Sequence, residues 1–356
     1  MEMIDNTINS FFALLRAGLW EKEVGLAHCA EVDFSKILCI SEEQAVVGLV
    51  AAGLEHMNDL HVPKEVALSY VNQTRQLERR NAAMNSFIGK MVEKMRDEGI
   101  YTLLVKGQGI AQCYERPLWR SSGDIDFFLS KDNYNRAKDL LLPLSSSPKP
   151  ERLSSRECGF YIDSWSVELH GFMLTGLSTK VDNEVNSVQR DVFYRGQVRT
   201  WMNGMTAIFL PAPNNDVFFV FTQLIKHFYK DLMTLRPVCD WCRLLWTFRG
   251  SIDDDLLEKR LTRSELMDEW CGFAALAVDY LGMPVEAMPL YRQDAKWSHK
   301  AKMIVDVILK GPYGSKIKDI WGIAHIFPYK TFCYLPSILF NVNRQKIKER
   351  VFRKGR

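Results

Sequence analysis

Three acidic residues stand where short apolar strands would bring them together. Asp124 and Asp126 are one residue apart in Gly123-Asp-Ile-Asp-Phe-Phe-Leu129, a stretch that alternates polar and apolar before turning fully apolar. On a β-strand that spacing points both carboxylates to one face. Glu168, between Val167 and Leu169 in Ser166-Val-Glu-Leu-His170, would add a third carboxylate from a second strand. Carboxylates crowded into a partly buried place raise each other's pKa, and a divalent cation relieves the conflict. Oxygen donors suit magnesium. With two such ions the arrangement supports nucleotidyl transfer. One ion holds a nucleoside triphosphate; the other lowers the pKa of the attacking hydroxyl and stabilises the in-line transition state.

Other residues fit around this chemistry. Lys106-Gly107-Gln108 reads as a turn at a helix start, where backbone N–H groups can face phosphate oxygens, and Gly107 would let phosphates approach the backbone. Lys106 either neutralises triphosphate charge or is a lysine exposed at a strand end. Arg120, four residues before Asp124, is expected to contact phosphate. His170, on the same strand face as Glu168, either touches the nucleotide or moves a proton, or else is a hydrogen-bonded core histidine. His227, Arg236 and Asp240 read as a buried ion-paired network joining helices; in the alternative, Arg236 or His227 reaches the triphosphate or the acceptor.

These residues need a scaffold, and the hydrophobic pattern supplies one. Residues 1–98 read as helical, with a capping-type start at Ser41-Glu-Glu-Gln and a long helix from Lys64 to Glu98. Along it Val66, Leu68, Val71, Leu77, Met84, Phe87, Ile88, Met91 and Met95 fall at helical spacing, and Gly99 is a stop. Strands are expected at Tyr101 to Val105, Gly123 to Leu129 and, twice, between Phe160 and Phe172, with a helix from Lys131 to Leu142 and a Ser- and Pro-rich loop from Leu144 to Glu157. From Pro213 the helical period returns: Asn214 to Phe228, Pro237 to Phe248, Asp253 to Arg260, Arg263 to Leu281 and Ser298 to Leu309. The fold class is α+β, a small mixed sheet with flanking helices plus helical regions at both ends. Its three parts are 1–98, 99–205 and 206–356.

Composition excludes several other classes. The chain has 356 residues, 47% hydrophobic and 25% charged, as in ordinary globular proteins. A net charge of +3 carries no clear nucleic-acid signature. The N-terminus lacks the basic start and apolar run of a secretory signal. The most apolar stretch, Ile320 to Phe340, is broken by Pro328, Lys330 and Pro336, so no transmembrane segment is expected. Eight scattered cysteines imply reduced thiols and a cytoplasmic location. Cys239 and Cys242 form a C-x-x-C with no second ligand pair for zinc, which makes them two cysteines of one apolar helix. From Asn343 to Arg356, seven Lys or Arg against one Glu give a net +6. That tail reads as a solvated helical end, with contact to an anionic membrane surface as the alternative.

The run LLVKGQGIAQCYERPLWRSSGDIDFFL resembles the uncharacterised nucleotidyltransferase family of bacteria, within the DNA polymerase β-like nucleotidyltransferase superfamily. That superfamily is marked by an h-G-[G/S] turn, then D-h-[D/E]-h, then h-[D/E]-h. Gly107-Gln108, Asp124-Ile125-Asp126-Phe127 and Val167-Glu168-Leu169 occupy these positions, with Gln108 where Gly or Ser is usual. LIKHFYKDLMTLRPVCDWCRLL is similar to the family's helical region, which places His227, Arg236 and Asp240 in the family's order. The resemblance implies a nucleotidyltransferase-type fold and a magnesium-dependent transfer of a nucleoside monophosphate from a triphosphate to a hydroxyl acceptor. Asp124, Asp126 and Glu168 would be catalytic and would bind two metal ions. Lys106, Gly107, Gln108, Arg120, His170, His227 and Arg236 would bind the nucleotide. Gln108 also supports an alternative, an inactive nucleotide- or partner-binding module on the same fold. A phosphohydrolase using the same carboxylates ranks last, since no H-D or H-x-H-x-D pattern is present.

Overall fold

Helical spacing governs the first hundred residues. Helices α1 (Glu2–Trp20), α2 (Phe34–Glu43), α3 (Val47–Glu55) and the 34-residue α4 (Lys64–Asp97) account for most of them. Gly99, with φ +64°, ends α4 in the left-handed conformation that glycine adopts most easily. The computed structural model describes residues 2–27, 32–152, 156–231, 233–310 and 316–339. The basic tail from Asn343, Cys29 and part of the Ser-rich loop lie outside the described residues.

Next come β1 (Thr102–Val105), α5 (Gly107–Ala111), β2 (Ile125–Leu129), α6 (Lys131–Leu141), β3 (Glu157–Ile162) and β4 (Trp165–His170). They are followed by α7 (Thr179–Tyr194), the hairpin β5 (Val198–Asn203) and β6 (Thr206–Pro211), and then α8 (Pro213–Lys230) and α9 (Arg236–Phe248). Helices α10 (Asp254–Ser264), α11 (Met267–Asp279), α12 (Ala295–Leu309) and α13 (Lys316–Ile326) complete the named elements, and residues 328–339 are also helical. The architecture is α+β, with a small mixed sheet flanked by helices. The break expected near Pro328 falls at Phe327, and no described helix is long and apolar enough to cross a membrane.

The sheet has the order β1-β2-β4-β3, with β2 and β4 parallel and the outer pairings antiparallel. Side-chain alternation gives it two unlike faces. Ile125, Phe127, Leu129, Val167 and Leu169 pack into one core with the C-terminal half of α4 (Phe87, Ile88, Val92, Met95) and with Tyr134 and Ala137 of α6. Leu103, Val105 and Phe128 face a second, larger core that contains α1, α3, α8, α9 and α11. Phe128 stacks on Phe219 of α8 and meets Phe193 of α7 edge-on, which fixes these helices over the face that carries Asp126. Helix α4 belongs to both cores, through Val66 and Tyr70 in one and Met84 onward in the other.

Of the acidic groups buried with the second core, Glu269 has no cation bonded to it among the described residues. Glu269 of α11 is fully buried; Tyr229 Oη donates to its Oε1 at 3.0 Å, and its Oε2 has no partner. Burial pushes its carboxyl up to about 7, against a smaller opposing pull from Lys330. The unfolded chain releases this proton near pH 4.3, so the stability tied to the neutral form is present at low pH and lost as pH rises through about 7. Glu269→Gln keeps the acceptor for Tyr229 and cannot ionise. Its Tm relative to wild type should therefore rise between about pH 5 and about pH 8. A difference that stays constant over that range contradicts the assignment.

Candidate active site

The parallel register sets Asp126 directly beside Glu168, and Phe128 beside His170. Asp126 and His170 are buried, while Glu168 is partly covered. His170 Nε2 lies 2.7 Å from Asp126 Oδ1 and 3.7 Å from Glu168 Oε2. One ligand atom from each of the three falls within 4.8 Å of the others. Asp124 lines the same cavity but stands outside this tight group. It precedes the first residue of β2 and is exposed, so the period-two rule that would align it with Asp126 no longer applies. The expected trio of carboxylates is thus altered: His170 completes the close group, and Asp124 sits at its edge.

The electrostatics of Asp126 and Glu168 differ. Burial alone would raise the Asp126 carboxyl, but Lys106, His170 and Lys226 outweigh it and hold that group well below the ordinary carboxylate range. Lys106 Nζ is 3.6 Å from Asp126 Oδ1. Glu168 is raised, by burial first and then by the charge of Asp126, with Asp124 adding to it. The donor set is two carboxylates and an imidazole nitrogen, and it fits a divalent cation, with oxygens suited to magnesium or manganese and the imidazole to zinc.

The turn between β1 and α5 is unusual. Lys106 has φ +57° and ψ −146°, a conformation sparsely populated by residues other than glycine, and Gly107 follows at φ +41°. A Cβ at 107 would lie 3.6 Å from the Asp124 carbonyl oxygen, so this turn and the start of β2 approach closely. Gln108 departs from the expectation. Its side chain is buried and donates from Nε2 to Asn81 Oδ1 at 2.9 Å, away from the cavity.

Asn81 itself was not anticipated. It is fully buried on α4 and donates to the Leu118 and Arg120 carbonyls at 2.7 and 2.8 Å; its Oδ1 accepts from Gln108 and, at 2.5 Å, from Ser122 Oγ. One amide thus ties the phosphate-type turn and the approach to β2 to the long helix. Its signal was a polar residue in the apolar stripe between Leu77 and Met84.

Arg120 is also employed differently. Its Nε and Nη2 each meet an Asp240 oxygen at 2.6 Å, and Tyr114 Oη donates to Asp240 at 2.7 Å, all buried. Asp240, steadied by Tyr114, thus takes up the arginine expected on phosphate. The ion-paired network foreseen for His227, Arg236 and Asp240 exists in another form, with Arg120 in place of the first two. Arg236 donates to the Ser121 carbonyl at 3.3 Å, and His227 Nδ1 lies 3.1 Å from Asp231 Oδ2 near the surface. Cys239 and Cys242 are buried in α9, as expected of an apolar helix.

All of this surrounds a cavity of about 710 Å³. One wall is the sheet face with Asp126, Glu168 and His170, joined by Lys106, Gly107 and Asp124; the other comes from α8 and α9, with Lys226, His227, Lys230 and Arg236. Lys226 and Lys230 were overlooked, although two lysines one turn apart in an otherwise apolar helix were visible in LIKHFYKD. Arg152 and Glu157, paired at 2.9 Å, close one side.

Residues 30–282 match the family described as uncharacterised nucleotidyltransferase. The chain belongs to that family. No curated protein and no solved structure matches it. Every residue discussed above around this cavity, from Asn81 to Asp240, lies within the matched span, whereas Ser337, at the cavity rim, lies beyond it.

The buried Arg120–Asp240 pair holds the segment before β2 against α9. Arg120→Met would leave Asp240 buried with only Tyr114 as a partner. The loss of folding free energy should be about 3–5 kcal/mol, read by denaturant titration. A loss below about 1 kcal/mol contradicts the structural role.

Proposed function

We propose that this chain moves a nucleoside monophosphate from a nucleoside triphosphate, such as ATP, to a hydroxyl acceptor in a magnesium-dependent reaction. One observation carries the reading: an acidic sheet face looks across a cavity of nucleotide size at a cationic helical face. Asp126, Glu168 and Asp124 would hold the metal ions, with His170 near enough to add a nitrogen donor. When bound, such ions neutralise phosphate charge and lower the pKa of a coordinated hydroxyl.

The chain's own residues supply the remaining chemistry. In the transfer, the acceptor oxygen bonds to the α-phosphorus, the bond from that phosphorus to the α,β-bridging oxygen breaks, and pyrophosphate leaves. Glu168 is the base that takes the hydroxyl proton, because its raised carboxyl is more basic than that of Asp126. Lys106 and Gly107 lie on the phosphate side, where the Lys106 ammonium, 3.6 Å from Asp126 Oδ1, would meet phosphate oxygens. The acceptor is a sugar, a small metabolite or a protein hydroxyl. A reducing, cytoplasmic setting suits the free thiols of the described cysteines. The reading as an inactive module drew on Gln108, and the contact of that side chain with Asn81 removes its specific support.

Asp126→Asn should leave the far-ultraviolet circular dichroism spectrum unchanged while eliminating magnesium-dependent release of pyrophosphate in a screen of four triphosphates and mixed hydroxyl acceptors. Release by the variant at the wild-type rate removes the mechanism.

A further inference from the structure

Helix α8 is apolar where it meets the core, yet Lys226, His227 and Lys230 in its last two turns line the cavity. Two of these have occupations. Lys230 Nζ donates to the Thr175 and Gly176 carbonyls at 2.8 and 2.7 Å, and His227 lies against Asp231. Lys226 differs: among the described residues its ammonium makes no hydrogen bond or ion pair, although the residue is partly buried. Burial, with Lys106 on the opposite wall adding to it, lowers its pKa from the ordinary lysine value.

Arg236, the first residue of α9, stands in the same wall. Its Nη1 bond to the Ser121 carbonyl is long at 3.3 Å, and its buried Nε has no partner. Partly desolvated cations with unfilled donors destabilise a fold unless something completes them. The carboxylates across the cavity do not: Asp126 is engaged by His170 and Lys106, and Glu168 by Lys149 at 3.4 Å. Carboxylates lie near both cations, but among the described residues neither forms a direct ion pair.

We infer that Lys226 and Arg236 grip the phosphate chain of the bound nucleotide from the helical side, opposite the carboxylate face. The inference rests on the reading of the chain as a nucleotidyltransferase. Lys226 supplies a point charge and Arg236 a fork of donors, a pairing suited to β- and γ-phosphates. Departing pyrophosphate then develops its charge beside two cations that are already in place. Lys226 is absent from the residues that motif matching singled out, because its role depends on which way the end of α8 faces.

Inorganic tripolyphosphate is the probe, since it carries a phosphate chain and nothing else. Calorimetry on the full chain with magnesium compares wild type, Lys226→Met and Lys226→Arg. The Met variant should bind tripolyphosphate at least about tenfold more weakly, and the Arg variant should recover most of the loss. The Tm of Lys226→Met should equal or exceed that of wild type, because an unpaired cation has been removed. Undiminished tripolyphosphate binding by Lys226→Met overturns the inference, and a lowered Tm alongside it marks Lys226 as structural. Should wild type bind nucleoside triphosphates but not tripolyphosphate, the inference fails and the transferase reading stands. Should Lys226-dependent tripolyphosphate binding occur in a chain that transfers no nucleotide, the inference stands and that reading fails.

Discussion

Asp126 and Glu168 lie side by side across a parallel strand pair, the first buried and the second partly covered. Two ionised carboxylates in that position repel, and the raised carboxyl of Glu168 records the repulsion together with its burial. The surrounding structure answers this constraint. Lys106 reaches Asp126 from a strained turn, His170 bonds it from the next strand position of the same face, and α8 and α9 bring further positive charge across the cavity. In the proposed reading a divalent cation would add positive charge at the sheet face, and a triphosphate would add negative charge beside the helical wall.

Holding this geometry falls to residues that never meet a substrate. Asn81 binds the turn before α5 and the segment before β2 with four hydrogen bonds from one amide. Arg120 and Asp240 then lock that segment to α9. On the outer side, Gly48 of α3 lets the helix meet the Trp119 backbone, where a Cβ would come within 2.0 Å of the carbonyl oxygen. The N-terminal helices thus help set the position of the strand that carries Asp126. Stabilising polar networks of this kind suit catalysis because the first contacts must be held to fractions of an ångström.

Much of this was legible in the residues. The long helix, the four sheet strands and the helices from α8 to α12 follow from hydrophobic spacing, and their ends shift by a few residues at most. Helix α7 and the β5–β6 hairpin went unassigned. The hairpin had a cue in Asn203-Gly204, where Gly204 at φ +61° starts a two-residue loop. At the site, Lys106, Gly107, Arg120, Asp124, Asp126, Glu168, His170, His227 and Arg236 all line one cavity. Pairing was not legible, because which of several cations meets a given acid depends on long-range packing. Arg120 and Asp240 are 120 positions apart and meet only once α9 is docked. Gln108 matched a motif position, yet its side chain answers to Asn81 on another element.

The central claim is that the carboxylate face and the helical cations together make one triphosphate site that needs a divalent ion. Calorimetric titration of the wild-type chain with a non-hydrolysable nucleoside triphosphate, once with magnesium and once with chelator, addresses it directly. The account predicts a single saturable site with magnesium and at least about tenfold weaker binding without it. Equal affinity under both conditions, or no binding under either, would contradict it.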